Sequence, residues 1–478
     1  MKLRITFPKT SLSNVLESLT KGSQLKIESG AFNGIGESLE ELILEKCCIE
    51  EFPEEIGNLR NLKSLSLAKN RLLALKNTSL QHVDKLEKLR LEGNFIEKLD
   101  NGTFDSLKKT LKALSFGEGN FVTKSFLDEL IKLTNLKLDQ ALSLENKTSN
   151  FQFQELDLRY AMDPYTIPDG SFKSLNNLET LNLIHLNFKK INKTTFTGLQ
   201  KLKVLDLRIN LIEQIECDSF KDIQNLEQLM LDGNYVTELK PCLWNGLKKL
   251  NELSIAWNNI EAINNSFSTM PSTLKILNIG NNKELSNIQP MAFDNLGSLE
   301  ALNLGGTSIR NITKELFRGL SNLKILDLTS SAVEYLEPTA FENQKITLEK
   351  LKIQKTNIKR ISSKILRSLQ KLKELDLSNN KWICDDKMIP VVLGIMDKYS
   401  NATRNGQEFV LENPQETTCD RPYSKRGAII SSLNISTLVQ YDETSDTTTT
   451  KTPLYSDTTT TSQQETTTLI TLIPVCFI

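Results

Sequence analysis

The chain has 478 residues, more than a single compact core of roughly 250–300 residues holds, so it is either several domains or an array that lengthens without thickening. Its 58 basic and 59 acidic side chains leave a formal net charge of −1, which gives no electrostatic footprint for a nucleic-acid backbone. Two histidines and seven cysteines are thin material for a metal centre or a histidine-dependent enzyme.

The N-terminus reads MKLRITFPKTSLSNVLESL. Early positive charge is followed by no apolar run of about 7–15 residues, so no secretory signal is readable. That leaves two readings: an incomplete N-terminus, or a protein that stays out of the secretory pathway. No apolar stretch of about 18 or more residues occurs anywhere, so no complete membrane span is expected. Residues 1–38 read as a degenerate repeat region, because Ile27 and Phe32 are in phase with the repeats downstream.

From Leu39 to about residue 379 the pattern L-x-x-L-x-L-x-x-N-x-L recurs. The clearest copies are Leu202, Leu205, Leu207, Asn210, Ile212; then Leu226, Leu229, Leu231, Asn234, Val236; then Leu250, Leu253, Ile255, Asn258, Ile260. Units begin at Leu39, Leu62, Leu86, Leu111, Leu133, Phe153, Leu178, Leu202, Leu226, Leu250, Leu274, Leu299, Leu323, Leu348 and Leu372, about fifteen in all and mostly 24 or 25 residues apart. The L-x-L core has period two and forms a short strand with its leucines on one face. One such strand cannot bury its own leucines; units stacked in parallel bury them together. The expected fold is an α/β solenoid, a leucine-rich-repeat horseshoe with a parallel sheet on its concave side.

The Asn after each strand sits at the turn, where its amide can satisfy backbone groups of adjacent units. Cys47 takes this position in the first clear unit, and Thr307, Ser331 and Thr356 take it late in the array. A second apolar mark, Phe32, Phe104, Phe172, Phe196, Phe220, Trp244, Phe267, Phe293, Phe317 and Phe341, predicts a stacked aromatic spine on the wide outer side. Leu111–Asp169 is expected to be irregular: the unit at Leu111 has Gly119 where Asn belongs, and the unit at Leu133 is only 20 residues long. Cys217 and Cys242 lie 25 residues apart at nearly the same phase, so they are either bonded across neighbouring turns or two buried thiols.

After Leu377 the chain reads SNNKWICDDKMIPVVLGIMDKY and later CDRPYSKRGAIISSL. These segments, with the 24-residue period and the outer Phe, resemble the extracellular leucine-rich-repeat family in the length class of Toll-like receptor ectodomains and related adhesion receptors. The resemblance covers about residues 25–440. The second unit, IEEFPEEIGNLRNLKSLSL, stands alone in looking like intracellular repeat proteins. The family's C-terminal cap begins N-x-W-x-C-x-C and has a later cysteine before P-x-x-x-R-G. Asn380, Trp382 and Cys384 match the start, and Cys419, Pro422, Arg426 and Gly427 match the later segment. The family's second cysteine is Asp386 here and its fourth is absent, so the resemblance implies a cap over 380–440 with one disulfide, Cys384–Cys419. An intracellular reading leaves these as free thiols.

From 441 to 468 the composition turns Thr-rich and nearly devoid of apolar side chains, as expected of a disordered stalk. Residues 469–478, LITLIPVCFI, are too few to span a bilayer. They read as the start of a truncated span or, with Ser456, Asp457 and Thr458 and a polar spacer upstream, as a glycolipid-anchor signal. Asparagines in N-x-S/T sequons, Asn77, Asn101, Asn146, Asn192, Asn264, Asn311, Asn401 and Asn434, are candidate N-glycosylation sites.

Binding is expected on the concave face, where most residues between the leucines are small or charged. The exceptions are Arg159 and Tyr160, Ile184 and His185, Arg208 and Ile209, Met230, and Trp257, which fall on consecutive strands and include residue types enriched at binding hot spots. Asp157, Asp206 and Asp232 would add polar registration. GEGN at 117–120 lies inside a repeat rather than in a strand-to-helix phosphate loop, and no Ser/His/Asp set, HExxH or paired CxxC occurs. No catalytic residue, cofactor or metal site is expected. The reading is a non-enzymatic, extracellular or cell-surface recognition protein that binds a protein or other macromolecule, touches membrane only through its C-terminal tail, and carries no Toll-type signalling domain. A dimer is compatible with it, and nucleic acid is not an expected partner. The alternatives are an intracellular scaffold or adaptor and a secreted matrix protein.

Overall fold

The computed structural model describes residues 2–5, 27–121, 123, 126, 129, 154–161, 170–173 and 175–433. One sixteen-stranded sheet runs through them. Its first strand, Lys2–Ile5, pairs antiparallel with Glu41–Glu45. Its last strand, Val410–Glu412, comes from the C-terminal flank and pairs in parallel with Glu374–Asp376. The fourteen strands between are one per repeat, with the central leucines facing one another in constant register, as Leu205 faces Leu181 and Leu229. The antiparallel first strand is a feature the repeat pattern does not reveal. It covers backbone groups that an open sheet edge would leave unpaired.

Every pattern leucine from Leu39 to Leu377 that lies among the described residues is buried, so the core is one continuous column rather than a globular centre. On the outer side, Phe196 stacks on Phe220 with ring centroids 5.9 Å apart, Trp244 on Phe267 at 6.2 Å, Phe267 on Phe293 at 5.9 Å and Phe317 on Phe341 at 6.1 Å. The outer segments are turns, two-residue strands and short 3-10 helices, and the unit that begins at Leu348 forms an α-helical turn there, Ser363–Ser368.

The asparagines form the expected ladder. Asn210 Nδ2 donates to Leu207 O of its own turn (2.9 Å) and to Leu183 O of the preceding repeat (2.9 Å). Its Oδ1 accepts from Leu186 N–H at 2.7 Å. Asn234 and Asn282 repeat this bridge. The hydroxyls of Thr307 and Ser331 reach only their own turn, at Leu304 O and Leu328 O, because they are too short to span two repeats. At Cys47 the turn is served by Asn70, whose Oδ1 accepts from Cys47 N–H at 2.9 Å.

Two expectations for the irregular stretch are corrected. Asn120, not the position of Gly119, carries the ladder, with Nδ2 donating to Leu91 O and Phe116 O and Oδ1 accepting from Ile96 N–H. The turn therefore holds one extra residue. It fits because Gly117 and Gly119 have no side chains: a Cβ on Gly117 would lie 1.9 Å from Arg159 O, and one on Gly119 2.3 Å from Asn94 O. The second correction concerns the number of strands in the array. Ala113–Ser115 pairs directly with Glu155–Asp157, Leu114 opposite Leu156, so fourteen repeat strands stand where fifteen units were read. Leu133 itself lies outside the described residues.

Along one edge of the sheet, the residue after each unit's first leucine alternates in charge. The order is Glu40, Lys63, Glu87, Lys112, Gln154, Glu179, Lys203, Glu227, Asn251, Lys275, Glu300, Lys324, Glu349, Lys373. The ammonium groups of Lys63, Lys112, Lys203, Lys324 and Lys373 each meet the preceding Glu at 2.6–2.7 Å. These pairs are largely solvent-exposed, so each contributes little to stability. Their alternation keeps like charges from stacking along the edge.

At the C-terminal end, Cys384 and Cys419 are joined, with Cα atoms 5.7 Å apart. Cys217 and Cys242 are joined across neighbouring turns, with Cα atoms 5.0 Å apart. The helix Ile389–Arg404 buries Val391, Val392 and Ile395, and so covers the leucines that the last repeat would otherwise expose. Arg360 clamps the buried Asp385 with two contacts of 2.7 Å, one to each carboxylate oxygen. The stalk and apolar tail of 441–478, with Asn146 and Asn434, lie outside the described residues.

Candidate functional site

Each concave strand offers three outward positions: the residue before the central leucine, the residue between the two leucines, and the residue after the second leucine. A fourth position follows at the strand tip, immediately before the ladder Asn. There the backbone turns left-handed in repeat after repeat: Lys46, Lys69, Gly93, Tyr160, His185, Ile209, Gly233, Trp257, Asn281, Gly306, Ser330, Lys355 and Asn379 have φ between 54° and 74°. That conformation costs a residue with a Cβ roughly 1–2 kcal/mol, and Gly or Asn adopts it most cheaply. A β-branched or bulky residue there is a marked outlier.

The tip row therefore divides. Gly, Asn, Ser or Lys occupies most of it, but consecutive repeats carry Tyr160, His185 and Ile209, and Trp257 follows one repeat beyond Gly233. Tyr160, Ile209 and Trp257 are 42%, 49% and 58% exposed, so core packing does not explain them. The Tyr160 and His185 rings meet at 5.2 Å in a tilted arrangement.

The residues between the leucines have a different task. Asp157, Asn182, Asp206, Asn278, Asn303, Asp327 and Asp376 each accept, through Oδ1, from the backbone N–H two residues on. Each caps its own strand. Asp157 and Asp206 also hold the guanidinium groups of Arg159 and Arg208: Arg159 Nε lies 2.7 Å from Asp157 Oδ2, and Arg208 Nη2 lies 2.6 Å from Asp206 Oδ2. These hydrogen bonds push both arginines above their ordinary pKa, against the opposing effect of partial burial.

The eight residues read from the sequence are thus brought together in part. Tyr160, His185, Ile209 and Trp257 share the tip row. Arg159 and Arg208 lie one position earlier, flanking Ile184 on the strand between them. Ile184 is buried at 6% exposure and is not presented to a partner, which corrects its assignment to the surface patch. Met230 is half-buried and falls in the row of Asp157 and Asp206. The eight residues occupy three rows rather than one. Asp157 and Asp206 are buried and engaged by their own arginines, so the expected polar registration cannot come from them.

Asp232 differs. It sits after the second leucine rather than between the two, so no Arg lies two residues on. Its Oδ1 accepts from Ala256 N–H at 2.8 Å and from the Ser254 hydroxyl. Ser254 Oγ in turn accepts from Asn278 Nδ2 at 3.0 Å. Sequence reasoning also missed Tyr235, 48% exposed and two residues past Gly233, because it follows the tip instead of lying on the strand.

Among the sequons, Asn77, Asn101, Asn264, Asn311 and Asn401 are exposed and Asn192 is half-buried. All but Asn401 lie within two residues of the short outer strands, away from the concave rows. A cleft among the described residues also lies outside the concave face. It is lined by Ser286–Ile288 and Ser308–Asn311, where a 25-residue unit carries one more residue than its neighbours. No group of His, Cys, Asp and Glu among the described residues is arranged to hold a metal ion. No helix among them is long and apolar enough to cross a membrane.

A parallel array of stacked units with an asparagine ladder, an outer aromatic spine and a disulfide-bearing C-terminal cap defines the class. The chain is a leucine-rich-repeat protein whose array resembles Toll-like receptor ectodomains. The Leucine rich repeat family model matches residues 60–115, 153–212, 185–236, 248–309, 272–333 and 298–345. Toll-like receptor 3 of Bos taurus is 33% identical over 147 residues, which are 31% of this chain and 12% of that protein. The match thus spans a small part of that relative. In the solved Toll–Spatzle complex of Drosophila, the Toll fold superposes with a TM-score of 0.64 at 18% identity, covering 87% of this chain and 57% of that one. The TLR13–ssRNA13 complex superposes with a TM-score of 0.59 at 23% identity, covering 83% and 55%. At these identities the two structures speak to the fold.

Proposed function

We propose that this chain is a non-enzymatic, receptor-like recognition protein of the extracellular space or cell surface, and that it binds a protein partner along the strand-tip ridge Tyr160–His185–Ile209–Trp257 with Arg159, Arg208 and Met230 beside it. The observation that carries this reading is the run of bulky, exposed residues at left-handed positions. Strain kept where it adds nothing to the core points to function. Aromatic and Arg side chains are also the types that anchor protein interfaces. The Toll–Spatzle structure supplies a precedent for a protein ligand on this fold. The disulfides Cys217–Cys242 and Cys384–Cys419 and the exposed sequons favour an oxidising compartment over the cytosol.

Two measurements test it. A photo-crosslinking residue in place of Ile209 should capture a protein in the native setting, while the same group in place of Ser330 should not; equal labelling at both positions defeats the ridge. Non-reducing peptide mapping with glycan analysis should find Cys384–Cys419 bonded and sequons occupied. Bare asparagines with reduced Cys384 and Cys419 would instead make the chain an intracellular scaffold.

A further inference from the structure

Of the concave aspartates in the repeats that carry the ridge, two, Asp157 and Asp206, hold an arginine of their own strand and one does not. Among the described residues Asp232 is in no ion pair and its Oδ2 makes no hydrogen bond; the Arg208 guanidinium on the neighbouring strand acts on it at longer range while bonded to Asp206. The carboxylate is nonetheless fixed in place, because Ala256 N–H and the Ser254 hydroxyl both donate to Oδ1. Fixing one oxygen while leaving the other open prepares an acceptor at little further entropic cost.

The next residue along from Ala256 is Trp257, 58% exposed at its strained tip. On the preceding repeat the same tip is Gly233, which bears no side chain, so a gap one repeat wide separates Trp257 from Ile209. An indole face attracts cations, and guanidinium stacks on it better than ammonium does because it is planar and weakly hydrated. A free carboxylate repels phosphate, so the site disfavours a nucleic-acid backbone.

We propose that Trp257, the Gly233 gap and Asp232 Oδ2 form a receiving site for one arginine side chain of the protein partner, a specificity-determining contact that rests on the ridge reading above. The guanidinium lies on the indole and donates to Oδ2, while the aliphatic stem crosses Gly233 toward Ile209. Binding is non-covalent and moves no proton.

The full chain offers its own reporter. Trp244 and Trp382 are fully buried, which leaves Trp257 as the indole open to collisional quenchers. The probes are N-acetyl-arginine N-methylamide and its citrulline analogue, which keeps the shape and loses the charge, at matched ionic strength. The arginine probe should shift and protect Trp257 fluorescence at concentrations about 3–10-fold lower than the citrulline probe. Asp232→Asn keeps an oxygen for Ala256 N–H and Ser254, so it should fold normally and bring the arginine titration to the citrulline level. Equal response to the two probes, an unchanged titration in D232N, or no protection by either probe overturns the proposal. An oligoribonucleotide that protects Trp257 better in D232N than in the parent chain overturns it in favour of an anionic ligand. If crosslinking at Ile209 succeeds while the probes fail to discriminate, the ridge stands and only the arginine site falls.

Discussion

The repeats from Leu178 to Asn258 and those from Leu274 to Asn380 are built alike but end differently. Both halves stack pattern leucines in one column, and both include strands capped by Asp or Asn between the leucines. At the tip, the first half carries His185, Ile209, Gly233 and Trp257, whereas the second carries Asn281, Gly306, Ser330, Lys355 and Asn379. The second set is close to what the left-handed backbone prefers. The difference shows that the array does not require bulky tips. Where they occur, the backbone bears a local cost that folding did not impose.

The comparison predicts first that the framework is common to both halves. Asn234→Ala and Asn282→Ala each remove a buried amide that bridges two repeats, and each should cost about 3 kcal/mol in denaturant unfolding. A large difference between them would mean the halves are not built alike.

Next in size is the junction where Arg360 of the second half holds Asp385 of the cap. Arg360→Gln should cost about 2 kcal/mol by leaving the buried Asp385 without its cation. Burial pushes the Asp385 carboxyl up, but the Arg360 guanidinium and the Lys387 N–H together hold it below the usual range. Its folded pKa is thus below the unfolded one, so the stabilisation is present above the unfolded carboxylate pKa and is lost as pH falls through the folded value. The parent chain should lose cap stability below about pH 4, and R360Q should lose less over the same window. An identical acid profile for both would remove Asp385 from the account.

A smaller effect, of opposite sign in the two halves, distinguishes their tips. Ile209→Asn should raise stability by about 1 kcal/mol and reduce partner capture, while Asn281→Ile should lower stability by about the same and leave capture unchanged. If I209N is destabilising, Ile209 packs for structural reasons and the functional reading of the strain fails. The smallest change is expected from Lys324→Ala in the edge ladder: a shift in unfolding midpoint near the limit of detection, gone at high salt.

Much of this was legible in the residues, and the reasons are local. Leucines at a fixed spacing face one way on a strand whatever surrounds them, so the column, the Asn ladder and the Phe spine follow from periodicity. The extra residue before Asn120 was not legible, since Gly119 occupies the expected phase and only the hydrogen bonds identify Asn120 as the bridging amide. Nor was the direct pairing of Leu114 with Leu156, because the periodicity placed a further unit between them. In the candidate site, Tyr160, His185, Ile209 and Trp257 could be picked out by type, but Ile184 could not be separated from them. It lies between Arg159 and Arg208 of the flanking strands and is buried, which its residue type does not reveal.

The sequence by itself determined the repeat length, the direction in which each leucine points, and the residues that end each strand, because these depend on bonding within one unit and its period. Only the tertiary structure decided which polar groups of the concave face remain free. Asp157, Asp206 and Asp232 are the same residue on the same face, yet two are occupied by an arginine of their own strand and one is held by the next strand with an oxygen to spare. Whether a charge is available to a partner depends on contacts two residues along and one strand across, and those distances exist only once the units are stacked.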